Sequence, residues 1–209
     1  MKIKVCGITT VSQLQELDAM GVDYAGLIFY ARSPRYVLSK LKSREVASLK
    51  MTTKKVGVFV NASEADITTQ IELYHLDLVQ LHGNETPAFC KHVSKLAKVI
   101  KVFRIDEGTN HIDWMIKPYH EVCDFFLFDH GSAGIYGGTG TKFNWDLLET
   151  AIIEKDFFLS GGIAPGDAEP IKEFSHPYFY GVDVNSKFET EPGIKNMEAV
   201  KEFVNLLQT

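Results

Sequence analysis

The sequence is short of several things, and each shortage closes off a class of protein. Its three cysteines, Cys6, Cys90 and Cys123, are odd in number and far apart; that excludes a disulfide framework and points to a reducing compartment. There is no basic excess: 22 Lys and Arg face 27 Asp and Glu, for a net charge of −5. A general nucleic-acid surface is therefore excluded, because no surplus of cations exists to release counterions. No apolar run reaches the roughly 20 residues that span a bilayer. The opening stretch Met1-Lys2-Ile3-Lys4-Val5-Cys6 reads as a strand and lacks the apolar centre and cleavage site of a signal peptide. Asn61-Ala62-Ser63 and Asn84-Glu85-Thr86 match the glycosylation pattern, and without a secretory signal they read as chance. The seven histidines show no spacing to Cys or carboxylates that would build a metal site, so no metal is expected. Neither a linker nor a low-complexity tract divides the chain. A single cytoplasmic domain over residues 1–209 is expected, monomeric by default, with no nucleic-acid or membrane partner.

What is present is alternation. Short apolar, strand-like runs recur at Lys2–Cys6, Asp23–Phe29, Lys55–Val60, Leu78–Leu81, Val99–Phe103, Asp124–Phe128, Phe157–Leu159 and Tyr178–Val182. Between them lie helical patterns: one capped by Thr10 and closed by Gly21, one over about 39–49, one through Ile67, Ile71 and Tyr74, and one opened by Thr86-Pro87. Others cover Ile112–Tyr119, a stretch from near Asn144, the segment between the last two strands after Ala164-Pro165-Gly166-Asp167, and Ile194–Leu207. Ser and Thr caps, a proline in a first turn and a glycine past a helix end are the expected punctuation. Eight strand–helix units at about 26 residues each predict an α/β fold, the closed (β/α)8 TIM barrel. An open doubly wound sheet would want a glycine fingerprint after the first strand, and Gly7-Ile8-Thr9 does not supply one.

Barrel active sites collect at the carboxyl-terminal ends of the strands. Read there, the chain offers Cys6, Arg35, Asn61, His82, Arg104, Asp129, Gly161-Gly162 and Asp183 with Asn185-Ser186. Alternation places Lys2, Lys4 and Cys6 on one face, so an ammonium lies one strand repeat, roughly 7 Å, from the thiol and favours its thiolate. Cys6 is then a base near neutral pH or, on the plainer reading, a small buried apolar residue. Asp129 closes a run of Phe and Leu; a poorly hydrated carboxyl there can hold a proton to donate, or can serve as a helix cap or ion-pair partner. Arg35, between Pro34 and Tyr36, offers a planar fork suited to a carboxylate; a solvated loop arginine is the alternative. His82 reads equally as a ligand contact or a structural histidine. The turns Ser160-Gly161-Gly162 and Asn185-Ser186 end the last two strands in small residues whose N–H groups are free to meet a phosphate, where the loops of strands 7 and 8 often hold one. Ser33, Ser160 and Ser186 lack a His–Asp partnership, which disfavours a serine hydrolase.

These residues carry a resemblance. Lys4-Val5-Cys6-Gly7-Ile8-Thr9, Phe29-Tyr30 with Ser33-Pro34-Arg35-Tyr36, Gly57-Val58-Phe59-Val60-Asn61 and Val79-Gln80-Leu81-His82-Gly83 begin it. Phe128-Asp129, Gly137-Gly138-Thr139-Gly140 with Phe143 and Trp145, Leu159-Ser160-Gly161-Gly162, Gly181-Val182-Asp183-Val184 and Pro192-Gly193-Ile194-Lys195 complete it in order, over nearly the whole chain. The sequence closely resembles the phosphoribosylanthranilate isomerases of tryptophan biosynthesis. The resemblance implies an Amadori rearrangement of N-(5-phosphoribosyl)anthranilate, a phosphorylated small molecule, to a 1-deoxyribulose 5-phosphate. By it, Asp129 matches the general acid, Cys6 the general base, and Arg35 the holder of the anthranilate carboxylate. The expected substrate-binding set is Arg35, His82, Gly138, Gly161, Gly162, Asp183, Asn185 and Ser186. No cofactor is implied, since only protons move.

Some positions depart from the family pattern. Ser186-Lys187-Phe188-Glu189 is bulkier than the glycine-containing stretch frequent there, and Asn144 and Asn196 stand where aspartate is frequent. An epimerase of the ribulose-phosphate type would want metal-binding His and Asp at its strand ends, and a silent phosphate-binding barrel would have lost Cys6 or Asp129. The related histidine-pathway isomerisation as usually run uses paired aspartates, whereas the first strand here ends in Cys6.

Overall fold

The computed structural model describes residues 1–106, 108–109, 111–131 and 143–209; Gly138 and most of the glycine-rich stretch His130–Thr141 lie outside them. Eight parallel strands close on themselves in chain order: β1 (Lys2–Cys6), β2 (Tyr24–Ile28), β3 (Lys54–Phe59), β4 (Leu78–Leu81), β5 (Lys98–Ile105), β6 (Phe125–His130), β7 (Phe157–Leu159) and β8 (Phe179–Val184). The expected barrel is the observed one. The outer ring comprises α1 (Val11–Ala19), α2 (Ser43–Ala47), α3 (Glu64–Tyr74), α4 (Pro87–Val93), α5 (Ile112–Ile116), α6 (Asp146–Glu149), α7 (Ala168–Glu173) and α8 (Met197–Gln208). No described helix is long and apolar enough to cross a membrane.

Strand alternation sorts the side chains into two cores. Outward residues such as Ile3, Val5, Leu27, Phe103, Phe126 and Phe157 meet the helices in one large cluster. Inward residues Tyr24, Val56, Leu78, Ile100, Val102, Leu127 and Phe158 fill the barrel floor with Phe125 and Tyr180. Above that apolar plug the inward positions turn polar. Lys4 pairs in register with Tyr24 on one side and Asp183 on the other, so it faces the interior as they do. Tyr180 and Asp183 are three residues apart, yet both face inward because the β7–β8 ladder shifts register between Phe157 and Phe158. A bulge of this kind re-aims a side chain without breaking the sheet.

The helices start where polar caps satisfy free N–H groups. Thr10, Ser63 and Thr86 accept from Gln13, Asp66 and Phe89, and Pro87 opens α4. Three helix starts differ from the sequence expectation. The helix expected over about 39–49 is a 3-10 turn at Val37–Ser39 followed by the five-residue α2; the Ser39 hydroxyl donates to the Tyr36 carbonyl at 2.9 Å and competes with the backbone ladder. α6 begins at Asp146 after Asn144 accepts its N–H at 3.1 Å. The last helix begins at Met197 rather than Ile194 because Asn196 caps it, accepting from Ala199 N–H at 3.1 Å. Ile194 and Lys195 instead form a strand, β10, antiparallel to β9 (Glu189–Glu191). This two-stranded ribbon is absent from the sequence reading.

Candidate active site

Cys6 is the last residue of β1 and is 4% exposed. Lys4 lies beneath it, wholly buried, with Nζ 2.7 Å from Asp183 Oδ1. The expected proximity of Lys4 to the thiol is found, but its net effect is a correction. Burial pushes the Cys6 thiol up, against the pull of the Lys4 and Lys195 ammoniums, and the Asp183 carboxylate adds to the rise. A desolvated sulfur resists ionising even beside a cation. Burial would lower the Lys4 ammonium, but Asp183 and the Cys6 sulfur hold it above its ordinary value. Asp183, expected to bind substrate, spends one carboxylate oxygen on Lys4, and its carbonyl accepts from Ser160 Oγ at 3.2 Å.

Gly7 follows Cys6 with φ +79°; a Cβ there would come within 2.6 Å of Arg35 Cδ and 2.8 Å of Asn185 Oδ1. The glycine thus serves both the left-handed turn and the passage of the Arg35 stem beside the thiol. The guanidinium is not solvated. Its Nε and Nη2 reach Glu189 Oε1 and Oε2 at 2.8 and 2.6 Å, and Lys195 Nζ joins Glu189 Oε1 at 2.7 Å. Lys195 also reaches Asn185 Oδ1 at 2.7 Å and its carbonyl at 3.2 Å. The side chain of Asn185, expected in the phosphate turn, is therefore committed to Lys195. Burial works against ionisation of Glu189, but Arg35 and Lys195 overcome it and hold the carboxyl below its ordinary value.

Asp129, on β6, faces the same mouth with β7 and β8 between it and Cys6. It is 7% exposed, and Oδ1 accepts the N–H of His130 at 2.9 Å. Oδ2 lies 3.3 Å from His82 Nε2, off the line of a hydrogen bond, so Nε2 keeps an unmet polar edge. Gln80, one strand repeat below His82, sets its amide nitrogen 3.1 Å from Nδ1. The contact ties the imidazole ring to Gln80 and leaves its Nε2 edge toward Asp129. The Gln80 Oε1 is buried without a hydrogen-bond partner among the described residues. The loop bearing His82 is anchored by a second buried pair that sequence reading missed. Lys101 Nζ holds the Leu81 and Gly83 carbonyls and Glu85 Oε2 at 3.2, 2.9 and 3.0 Å. Glu85 Oε1 takes the N–H groups of Asn61 and Gly83 at 2.9 and 3.0 Å, and Arg104 Nη2 donates to the His82 carbonyl at 3.0 Å.

Gly161 and Gly162 adopt φ of +87° and +71°, and a Cβ on Gly161 would approach His130 N to 2.7 Å. Side chains are excluded from this turn, which lies against the end of β6. Ser186 opens a 3-10 turn to Phe188 just past β8. The bulky stretch at 186–189 does not crowd that turn: Phe188 is fully buried against Phe203 of α8, with ring centroids 4.9 Å apart, and Lys187 is exposed. The structure thus brings Cys6, Arg35, His82, Asp129, Gly161, Gly162, Asp183, Asn185 and Ser186 to the carboxyl-terminal end of one barrel. Missed in the sequence were Glu189, Lys195, Gln80, Lys101 and Glu85. For the first two a signal existed, since Pro192-Gly193 between short runs marks a hairpin turn. Among the described residues no group of three or more His, Cys, Asp or Glu could hold a metal.

A closed parallel barrel with a buried thiol, a carboxyl and a glycine turn at its mouth has the make-up of a TIM-barrel enzyme. Residues 3–206 match the family model of N-(5'-phosphoribosyl)anthranilate (PRA) isomerase. The chain is 41% identical to the N-(5'-phosphoribosyl)anthranilate isomerase of Parabacteroides distasonis, over 98% of this chain and 92% of that one. It is 38% identical to that of Aquifex aeolicus, over 98% and 97%. Among solved structures, the phosphoribosyl anthranilate isomerase of Thermus thermophilus superposes with a TM-score of 0.85 at 25% identity, over 100% and 98% of the two chains. A phosphoribosyl anthranilate isomerase in complex with reduced 1-(o-carboxyphenylamino)-1-deoxyribulose 5-phosphate superposes at 0.78 and 26%, with the same coverage. The chain belongs to the N-(5'-phosphoribosyl)anthranilate isomerase family, and it is an isomerase.

Proposed function

We propose that this isomerase converts N-(5'-phosphoribosyl)anthranilate to 1-(o-carboxyphenylamino)-1-deoxyribulose 5-phosphate, in tryptophan biosynthesis, with Asp129 as acid and Cys6 as base. What carries the proposal is the placement of a thiol and a carboxyl on β1 and β6, facing one mouth from separate strands, in a chain matched to the family over residues 3–206. Asp129 donates its proton to the furanose ring oxygen. The C1′–O bond breaks as the anilino nitrogen lone pair forms the C=N bond of an iminium. Cys6 then takes the C2′ proton, and the C–H electron pair moves to give an enolamine. Protonation at C1′ and loss of the enol proton complete the ketose, so no electrons leave the substrate and no oxidant is required.

The surrounding groups fit these steps. Lys4 and Lys195 are the cations that steady a thiolate, and the buried site makes their charge count for more than it would in water. His82, its Nε2 3.3 Å from Asp129 Oδ2, lies beside the carboxyl at the mouth. The backbone N–H groups at Gly161, Gly162 and Ser186 take the 5′-phosphate, with Gly138 as a further contact; Arg35 takes the ring carboxylate. Two anion holds at opposite ends would stretch the sugar between acid and base, turning remote binding into orientation.

The test is conversion of freshly made N-(5'-phosphoribosyl)anthranilate, followed by loss of its fluorescence. Rapid conversion by the purified protein, lost in Asp129→Asn and Cys6→Ser, is the expected outcome. A folded protein that leaves the substrate untouched would overturn the assignment.

A further inference from the structure

The β9–β10 ribbon places Glu189 opposite Lys195 and is tied to the loop after β1, where Thr9 Oγ1 donates to the Gly193 carbonyl at 2.6 Å. The Glu189 carboxylate is saturated. Its Oε1 accepts from Arg35 Nε at 2.8 Å, Lys195 Nζ at 2.7 Å and Gly193 N at 3.0 Å. Oε2 accepts from Arg35 Nη2 at 2.6 Å and Nε at 3.1 Å. A guanidinium has two forks of near-equal geometry, one along Nε and Nη2 and one along Nη1 and Nη2. Glu189 occupies the first. Nη1 has no hydrogen-bond partner among the described residues, so the second fork is free.

We propose that Glu189, backed by Lys195, is the positioning residue that fixes Arg35 to receive the substrate's ring carboxylate. The inference rests on the reading above that Arg35 takes that group. A long, flexible arginine loses rotamer freedom whenever it binds; here the ribbon has already removed that freedom, with the stem beside Gly7 and the Arg35 side chain 11% exposed. Lys195 explains why the arrangement still attracts an anion. Arg35 and Glu189 alone sum to zero charge, whereas Arg35, Glu189 and Lys195 together keep one positive charge facing an incoming carboxylate. Glu189 can therefore orient the arginine without cancelling it.

The experiment compares inhibition by reduced 1-(o-carboxyphenylamino)-1-deoxyribulose 5-phosphate with inhibition by the same compound lacking the ring carboxyl, in wild type, Glu189→Gln and Arg35→Met. Wild type is expected to prefer the carboxylated compound, and Arg35→Met to lose that preference. Glu189→Gln should weaken the carboxylated compound about tenfold, the effect of one charge-assisted hydrogen bond, leave the other unchanged, and raise KM with kcat held within about twofold. Unchanged affinity for the carboxyl-free compound is also the measure that the site remains folded. Equal weakening of both compounds would make Glu189 merely structural, and no change would deny it a role. Tighter binding of the carboxylated compound would make Glu189 its competitor. Each overturns the inference while leaving Arg35 in place. If Arg35→Met keeps the wild-type preference, Arg35 itself is misassigned and the inference falls with it.

Discussion

The two sides of the barrel mouth answer their charges differently. On the β1–β8 side each charge is met by another at short range: Lys4 by Asp183 at 2.7 Å, and Glu189 by both Arg35 and Lys195 at 2.6 and 2.7 Å. On the β4–β6 side Lys101 and Glu85 pair at 3.0 Å, but the groups around Asp129 are left short. Among the described residues Asp129 has one backbone N–H and an off-line imidazole at 3.3 Å, while His82 Nε2 and Gln80 Oε1 lack a hydrogen-bond partner. On the proposed mechanism the difference follows two tasks. A thiol that must release a proton needs cations already fixed around its sulfur. A carboxyl that must give its proton to a ligand is better left without a dedicated cation of its own, with donors nearby that a bound sugar can complete.

The largest effect expected is on turnover. Asp129→Asn and Cys6→Ser should each lower kcat by about 10²- to 10⁴-fold, read by the fluorescence assay, since on the proposed mechanism each removes a proton-transfer group. Next is Lys4→Met, which strands Asp183 in the barrel and should cost about 3–5 kcal/mol in denaturant unfolding. The same variant carries a pH signature. Lys4 pulls the Cys6 thiol down against burial, so its removal should raise the thiol further and move the rising, acid-side limb of kcat/KM to higher pH. A limb that stays in place would mean that Cys6 is not the titrating base. Smaller is Gln80→Leu: because Oε1 already lacks a partner, stability should change by under about 1 kcal/mol, while a loss of less than tenfold in kcat reports the loosened His82. A stability loss like that of Lys4→Met would erase the contrast between the two sides. Smallest is Lys2→Ala, which breaks the Lys2–Asp23 pair of 2.7 Å with the lysine side chain 48% exposed. Surface pairs of this kind are worth about 0–1 kcal/mol, and thermal unfolding should scarcely move.

How much of this could be read from the sequence depends on whether the signal was local. The barrel could, because apolar runs such as Val99–Phe103 and Asp124–Phe128 recur with turn residues between them, and strand order follows from chain order. Cys6, His82 and Asp129 could, because a strand's last inward residue meets the mouth whatever its partners are. The partners could not. Arg35 reads in sequence as a loop arginine with a free fork, and only the folded chain brings Glu189 to it across 154 positions. The net direction of the Cys6 shift was misread for a related reason: alternation reveals the nearby Lys4 but not the depth of burial that outweighs it. The cap at Asn196 lay within reach, since asparagine caps as well as aspartate, whereas the β9–β10 ribbon was hidden under the helical pattern expected from Ile194.

The division of labour between the two sides is tested most directly by a substrate deuterated at C2′, with the isotope effect on kcat compared in Cys6→Ser and Asp129→Asn. If Cys6 removes that proton after Asp129 has opened the ring, Cys6→Ser makes C–H cleavage rate-limiting and shows the full primary effect. Asp129→Asn makes ring opening rate-limiting and suppresses it. Equal effects in the two variants, or a larger one in Asp129→Asn, would contradict the assignment of base to β1 and acid to β6.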